Sequence, residues 1–226
     1  MINLKLLVWV TSDCNLTCPL CNQFHSMGIN LGYHMPLNEV KNLVESCKRR
    51  NIHFSVIELI GGEPTLWVNL KEGIKILNEI TDDIFFVTNG QNPELVISLG
   101  LKHWIVSTSQ ATKAQWERFK GHTDKIICNV HQHKIVPVNA IPNSIPAVCV
   151  VAVDPFNPIQ RENGIGYLRG KMYYCNLAFA LSDRVPLTDD MWCDLEDDFV
   201  TKFSNKTFDK EICKYCLCNG KVWSQI

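Results

Sequence analysis

The stretch Cys14-Asn15-Leu16-Thr17-Cys18-Pro19-Leu20-Cys21 brings three cysteines together within eight residues. It follows the apolar run Leu6–Val10, which we expect to form a short buried strand. The chain therefore delivers three thiolates to one strand end. Iron–sulfur clusters are held by cysteine thiolates, and a four-iron cluster needs four ligands in all. Three cysteines would leave one iron open to a ligand that is not protein.

Structural zinc is the alternative for this loop, because zinc accepts three cysteines with a histidine and His25 lies four residues after Cys21. The next unit of the chain separates the two. Ile60-Gly61-Gly62-Glu63-Pro64 follows a β-rich apolar run at 54–59 and precedes a predicted helix. Adjacent glycines let backbone approach a ligand closely, and Glu63 offers a carboxylate to an ammonium group. A zinc loop gives no reason for such a turn at this place.

With these two motifs one strand–helix unit apart, the sequence resembles the radical S-adenosylmethionine (radical SAM) superfamily. The resemblance implies that Cys14, Cys18 and Cys21 hold a [4Fe–4S] cluster, whose fourth iron binds the amino and carboxylate groups of S-adenosylmethionine (SAM). It also implies that Leu20 lies near the adenine. The turn formed by Gly61, Gly62, Glu63 and Pro64 would contact the methionine amino group.

Strands and helices alternate over the first 170 residues. Such alternation predicts parallel pairing of the strands. Six strands fit an open (β/α)6 partial barrel, the α/β architecture that the resemblance implies for residues 1–170. Three prolines in 134–146 exclude an ordinary helix in the fifth connection. We expect Cys47 to be a packed core thiol on the first helix. The expected strands lie at 4–11, 54–60, 83–88, 103–108, 125–131 and 146–152, and the expected helices at 37–50, 70–80, 92–99 and 112–119.

Polar residues follow the predicted strands, and barrel enzymes place their chemistry at the C-terminal ends of strands. Thr88-Asn89-Gly90 is similar to the Thr-Asn-Gly found after strand three in many radical SAM enzymes. Ser107-Thr108-Ser109 is similar to the family's Ser-Leu-Asp after strand four, with Ser109 in place of the aspartate. The resemblance implies that Asn89, Ser107 and Ser109 line the SAM site, with Ser107 near the methionine carboxylate. His131 and His133 follow strand five.

A second cysteine set lies downstream. The segments 178–181 and 185–187 flank Ser182-Asp183-Arg184 and predict a β-hairpin, and we expect a helix rich in acidic residues after Cys193. Zinc suits four cysteines with a CxxC pair as well as iron does. The resemblance extends here to the twitch module, a shortened SPASM module with one auxiliary [4Fe–4S] cluster, over residues 171–226. It implies ligands at Cys175, Cys193, Cys213 and Cys216, with Cys218 surplus or replacing Cys216.

The resemblance implies reductive cleavage of SAM to a 5′-deoxyadenosyl radical, which takes hydrogen from a substrate C–H bond. An external electron donor such as flavodoxin or ferredoxin is needed. Peptide-modifying members of the superfamily often carry an extra N-terminal domain that grips a leader peptide, and we expect none before the first strand. This favours a small metabolite, or a peptide presented by a separate protein. Peptide modification by a maturase or epimerase is the alternative. A zinc-binding protein without activity is the alternative of another class. Candidates for substrate contact or proton handling are His131, His133, Arg161 and Tyr167. Cys128 or Cys149 could donate hydrogen in an epimerisation.

Composition agrees with a compact enzyme. The chain has 226 residues, 46% of them hydrophobic, and a net charge of −1, which argues against a protein that mainly grips nucleic-acid phosphates. The N-terminal apolar run is too short for a signal peptide, and we expect no membrane span. Eleven cysteines without an export signal favour metal ligation in the cytoplasm over disulfides.

Overall fold

The computed structural model describes residues 5–16, 32–102, 104–106, 113–119, 122, 126–129, 164–175, 178, 182 and 187–203. These residues form one eight-stranded sheet with helices packed on it. The strands are β1 (Lys5–Thr11), β2 (Val56–Gly61), β3 (Ile84–Thr88), β4 (Trp104–Val106), β5 (Ile126–Asn129), β6 (Gly164–Leu168), β7 (Lys171–Tyr173) and β8 (Trp192–Asp194). The helices are α1 (Leu37–Arg49), α2 (Leu70–Leu77), α3 (Pro93–Ser98), α4 (Lys113–Phe119) and α5 (Phe199–Phe203).

The sheet has the strand order β5-β4-β3-β2-β1-β6-β7-β8. The pairs from β5 to β1 are all parallel, as the alternation of strands and helices predicts. The predicted strands and helices up to residue 129 are therefore confirmed, with shifts of a few residues at their ends. The expected strand at 146–152 lies outside the described residues.

An unpredicted strand, β6, completes the parallel part of the sheet. It pairs with β1 on the side away from β2, so that β1 lies between two parallel neighbours. Its sequence, Gly-Ile-Gly-Tyr-Leu, has a low strand propensity because glycine is depleted in strands. The long-range pairing with β1 overrides that local preference.

The described core lies between the sheet and its helices. All seven residues of β1 and all six of β2 are buried, which is typical of a parallel sheet covered on both faces. Helix α1 buries Val40, Leu43, Val44 and Cys47, and Cys47 is fully enclosed, as predicted. On the sheet itself, a buried ion pair joins Lys5 of β1 to Glu58 of β2.

The C-terminal part of the sheet begins with a tight hairpin. Strands β6 and β7 are antiparallel and are joined by Arg169 and Gly170, with φ of 52° and 76°. Two consecutive left-handed residues are typical of a type I′ turn, which suits the twist of a hairpin. The hairpin that we expected at 178–187 lies mostly outside the described residues, and Ala178 is helical there. A helix does follow Cys193, namely α5, but it contains no acidic residue, because the expected acidic residues precede it.

The end of α1 holds the segment that follows β8. The guanidinium of Arg50 donates to the carbonyl oxygens of Leu195 and Asp197, both at 2.6 Å, and lies 4.9 Å from the ring centre of Phe199. The neighbouring Arg49 makes an exposed ion pair with Glu196. Within the described ranges, no helix is long and apolar enough to cross a bilayer.

Candidate functional site

Three predicted site segments share one edge of the sheet. Cys14 follows β1, the Gly61–Pro64 turn follows β2, and Asn89 follows β3. Because these strands are parallel neighbours, their C-terminal ends lie side by side. The structure therefore brings the first cysteine, the double-glycine turn and the asparagine together.

The double-glycine turn lies directly on the backbone that leads to Cys14. The amide of Gly62 donates to the Thr11 carbonyl at 2.8 Å, and the amide of Glu63 donates to the Asp13 carbonyl at 2.6 Å. A Cβ at Gly61 would stand 2.0 Å from the Thr11 oxygen, and one at Gly62 would stand 2.1 Å from the Asp13 oxygen. Among the described residues, backbone atoms of residues 11–13 occupy the space of these missing side chains. The close approach to a ligand that we expected of the glycines stays a prediction.

The Glu63 carboxylate is enclosed, with 1% of the residue exposed. Its Oε1 accepts hydrogen bonds from the amide of Thr65 at 3.2 Å, the hydroxyl of Thr65 at 2.7 Å and the hydroxyl of Thr88 at 2.8 Å. Its Oε2 accepts from the Asn89 amide at 2.7 Å. Burial raises the pKa of this carboxyl group, and the hydrogen bonds oppose that rise. Glu63 thus ties the turn after β2 to the end of β3, and its expected contact with an ammonium group stays a prediction.

The Asn89 side chain lies between Cys14 and Asn15. Its Nδ2 donates to Asn15 Oδ1 at 2.7 Å and lies 3.9 Å from Cys14 Sγ, within reach of a weak N–H···S hydrogen bond. Its Oδ1 accepts from the Gln91 amide at 3.0 Å. The residue that closes β3 therefore contacts the first predicted cluster ligand directly.

Residues 10–13 and 33–35, at the two ends of the cysteine-bearing segment, form a short antiparallel contact. We call these residues the loop base. Ser12 N donates to Tyr33 O and Met35 N donates to Val10 O, both at 2.8 Å. His34 bridges the other side, with Nε2 at 2.8 Å from Asp13 Oδ2 and Nδ1 at 3.2 Å from Thr11 Oγ1.

The loop base is also held by the unit after β2. The Trp67 indole donates to the Met35 carbonyl at 2.8 Å, and the Asn69 amide reaches the same oxygen at 3.2 Å. The Trp67 ring lies where a side chain at Gly73 would stand, since a Cβ there would be 2.0 Å from the ring. Sequence reasoning missed His34 and Trp67, because no spacing rule connects either residue to the cysteines.

Many predicted site residues lie outside the described part of the chain. Cys128 is the third residue of β5, of which only the backbone is described. In the described ranges, no three His, Cys, Asp or Glu residues are grouped as metal ligands, and both proposed cluster sites include undescribed cysteines. The undescribed predicted residues are Cys18, Leu20, Cys21, His25, Ser107, Ser109, His131, His133, Cys149, Arg161, Cys213, Cys216 and Cys218.

Two predicted auxiliary ligands, Cys175 and Cys193, lie along the β7–β8 pair. Cys193 is in β8, opposite Met172, and Cys175 lies two residues beyond the end of β7. Both are buried. Burial raises the pKa of the Cys193 thiol to about 11, while the positive charges of Lys202 and Arg50 act in the opposite direction.

Tyr167, a candidate for substrate contact, lies in the core instead. It is fully buried in β6, opposite Val8, and burial raises its pKa, with the charge of Glu39 adding to the rise. The Tyr33 hydroxyl donates to the same Glu39 carboxylate at 3.0 Å. Tyr167 therefore belongs to a buried tyrosine–glutamate group between the sheet and α1, and not to the strand-end edge.

Comparisons with known proteins agree with this geometry. The model of the Radical SAM superfamily matches residues 9–130, more than half of the chain. The solved structure of BtrN in an open conformation aligns over 96% of this chain and 92% of its own, with a TM-score of 0.57 and 19% identity. A BtrN complex with AdoMet and 2-DOIA aligns over 94% and 84%, with a TM-score of 0.56 and 18% identity.

A third solved structure, Streptococcus suis SuiB bound to S-adenosylmethionine, aligns over 95% of this chain and 72% of its own, with a TM-score of 0.54 and 11% identity. At these identities the likeness shows a shared fold. A comparison with curated protein sequences gives no significant match.

Proposed function

Because this chain belongs to the radical SAM superfamily, we propose that it cleaves SAM reductively to a 5′-deoxyadenosyl radical, which takes hydrogen from a C–H bond of a small metabolite. The observation that carries the proposal is the contact of three strand ends. Cys14, the Gly61–Pro64 turn and Asn89 meet at one edge, held by hydrogen bonds between 2.6 and 2.8 Å.

The described residues fit a cluster at the N-terminal cysteines. Cys14 is half-buried at a strand end rather than packed in the core like Cys47. Asn89 directs an amide N–H towards its sulfur, and such donors favour a thiolate that holds iron. We propose that Cys14, Cys18 and Cys21 hold the [4Fe–4S] cluster.

The surrounding residues of this chain would bind and orient SAM. We propose that the Gly61–Pro64 turn, Glu63 included, contacts the methionine amino group of SAM; the turn lies against the backbone that leads to Cys14. Leu20, Asn89, Ser107 and Ser109 complete the proposed site. Residues 1–170 would form the partial barrel around it.

We further propose that residues 171–226 form a twitch-like module with one auxiliary [4Fe–4S] cluster. Its ligands would be Cys175, Cys193, Cys213 and Cys216. The first two are both buried near the β7–β8 pair, Cys193 in β8 and Cys175 two residues after β7, which is consistent with this proposal. The BtrN likeness also extends over 96% of the chain and so includes both proposed parts.

A dehydrogenation would use both proposed clusters. The substrate would lose one hydrogen atom to the radical, one proton to a base and one electron to the auxiliary cluster. His131 or His133 would be the base, and Arg161 would contact the substrate. Cys128 or Cys149 would instead serve as a hydrogen donor in an epimerisation. A flavodoxin or ferredoxin would supply the electron for SAM cleavage.

Anaerobic purification with iron, sulfide and zinc analysis tests the proposal. We expect about eight irons per chain, for two four-iron clusters, and deoxyadenosine formation from SAM with dithionite. Cys14→Ala should lose about half of the iron and all deoxyadenosine formation. The matched control is Cys47→Ala. That thiol lies on the buried face of α1, so its removal should leave both measurements unchanged. Stoichiometric zinc without sulfide would overturn the assignment.

A further inference from the structure

Hydrogen bonds of Asn89 and of its two neighbours, Thr88 and Gly90, fix the backbone position of Asn89. Its backbone amide donates to Glu63 Oε2 at 2.7 Å. The preceding Thr88 donates to Glu63 Oε1 at 2.8 Å, and Thr88 Oγ1 accepts from Gly90 N at 3.1 Å. Asn89 is 7% exposed. A buried carboxylate therefore holds the backbone from which the Asn89 side chain extends.

The orientation of the Asn89 carboxamide follows from its partners. Oδ1 accepts from the Gln91 amide at 3.0 Å, which assigns the oxygen to that side. Nδ2 therefore faces Asn15 Oδ1 at 2.7 Å and Cys14 Sγ at 3.9 Å. A carboxamide nitrogen has two N–H groups, and these two acceptors account for both.

We propose that Asn89 raises the reduction potential of the N-terminal cluster by donating a hydrogen bond to the sulfur of Cys14. Hydrogen bonds to cluster sulfurs are among the factors that set the potential. A donor stabilises the extra negative charge of the reduced cluster more than the oxidised form. This inference rests on the proposed function, since it needs the cluster at Cys14.

The role is one of positioning, through Cys14. Glu63 places Asn89, and Asn89 acts on the thiolate that binds iron. A purely structural Asn89 would satisfy Asn15 and Gln91 without affecting the electron affinity of the cluster. The reduction potential therefore distinguishes the two roles.

The test is an EPR-monitored redox titration without SAM, in which the N-terminal cluster is identified by the change of its signal when SAM is added afterwards. Asn89→Leu keeps the size of the side chain but removes the donor, and we expect a shift to a more negative potential. The matched control is Asn92→Ala, because Asn92 caps α3 three residues further on through Leu95 N. A wild-type potential in the Asn89→Leu protein overturns the inference.

A second measurement needs no change at Asn89. Protein labelled with 15N in the asparagine side chains is reduced without SAM and examined by electron spin-echo spectroscopy. The measurement is made on the Asn15→Asp variant. Its residue 15 still offers an acceptor oxygen to Asn89 but has no side-chain nitrogen. We expect a 15N coupling to the reduced cluster, and its absence overturns the inference even where Asn89→Leu assembles no cluster.

The two failures are distinguishable. A wild-type protein with zinc and no sulfide contradicts the proposed function, and this inference with it. A wild-type protein with two clusters and SAM cleavage, but no effect of Asn89 on the potential, contradicts this inference alone.

Discussion

At the residue scale, the double-glycine turn lets two segments of the backbone, residues 61–62 and residues 11–13, lie in close contact. Gly62 has no room for a side chain because its Cβ would stand 2.1 Å from the Asp13 carbonyl oxygen. Backbone cannot yield as the end of a flexible side chain can. The glycines therefore set the distance between the β2 turn and the residue before Cys14.

Gly62→Ala should separate this turn from residues 11–13. We expect loss of SAM binding, measured by equilibrium dialysis on the reconstituted protein, together with reduced iron content. Gly100→Ala is the control, because a Cβ there meets nothing within 4 Å although φ is +64°. That change should cost about 1 kcal/mol of unfolding free energy and leave SAM binding intact. Equal SAM affinity in both variants would contradict the steric argument.

Glu63→Gln tests the enclosed carboxylate. Its partners are all donors, so one face of a glutamine amide would direct N–H groups at other N–H or O–H groups. We expect a loss of about 1–3 kcal/mol in unfolding free energy, the cost of unsatisfied buried polar groups. Urea unfolding measures it. The same substitution at Glu72, exposed on α2, should stay within about 0.5 kcal/mol of wild type.

At the element scale, α1 connects the loop base with the C-terminal hairpin. Glu39 lies in its first turn and accepts hydrogen bonds from the Tyr33 hydroxyl at 3.0 and 3.1 Å. Arg169, in the β6–β7 turn, stacks its guanidinium 4.9 Å from the centre of the same Tyr33 ring. The first turn of α1 thus joins two regions that are distant in sequence.

Glu39 should make stability depend on pH. Burial raises its folded-state pKa, so the folded protein holds the proton more tightly than the unfolded chain does. Its contribution to stability is then complete below the unfolded pKa of about 4.3 and is lost as pH rises through the folded value. Glu39→Gln should flatten that part of the curve, measured by urea unfolding across pH. An unchanged pH dependence would contradict the burial argument.

At the scale of the whole molecule, one sheet contains both the strands that carry the candidate site and the C-terminal strands β6 to β8. Arg50 fixes the segment after β8 through two carbonyl oxygens and the Phe199 ring. These contacts lie two to six residues beyond Cys193. The geometry at the end of α1 therefore influences where the proposed auxiliary ligand stands.

Arg50→Ala should loosen this segment and lower the auxiliary iron. We expect iron to fall from about eight towards about four per chain, while the SAM-responsive EPR signal of the N-terminal cluster remains. The control is Arg49→Ala, since its ion pair with Glu196 is solvent-exposed and contributes little to stability. Full iron content in Arg50→Ala would contradict a positioning role for this residue.

The sequence predicts those parts of the molecule that depend on local pattern. Strands β1 to β3 and helices α1 and α2 follow from apolar runs and helical spacing, and Cys47 is buried because it continues the apolar face of α1. Strand β6 was missed because Gly164 and Gly166 weaken the local signal, whereas pairing with β1 is a long-range interaction.

The sequence predicts which residues belong to the candidate site, but not which atoms those residues contact. Glycine spacing indicates that backbone must come close to something, but it cannot distinguish a ligand from the Asp13 carbonyl. Likewise, a carboxylate after a strand does not reveal whether Thr88 and Asn89 will enclose it. Such contacts follow from the placement of neighbouring strands and not from the order of residues along one of them.

The central position of β1 has a consequence for synthesis. On the ribosome, this strand emerges before the other seven described strands, yet one of its two hydrogen-bonding edges is completed only when β6 appears more than 150 residues later. Until then, one row of its backbone amides and carbonyls is open to other chains, a known route to aggregation. A nascent polypeptide cut short before Gly164 would therefore be a natural substrate for chaperones.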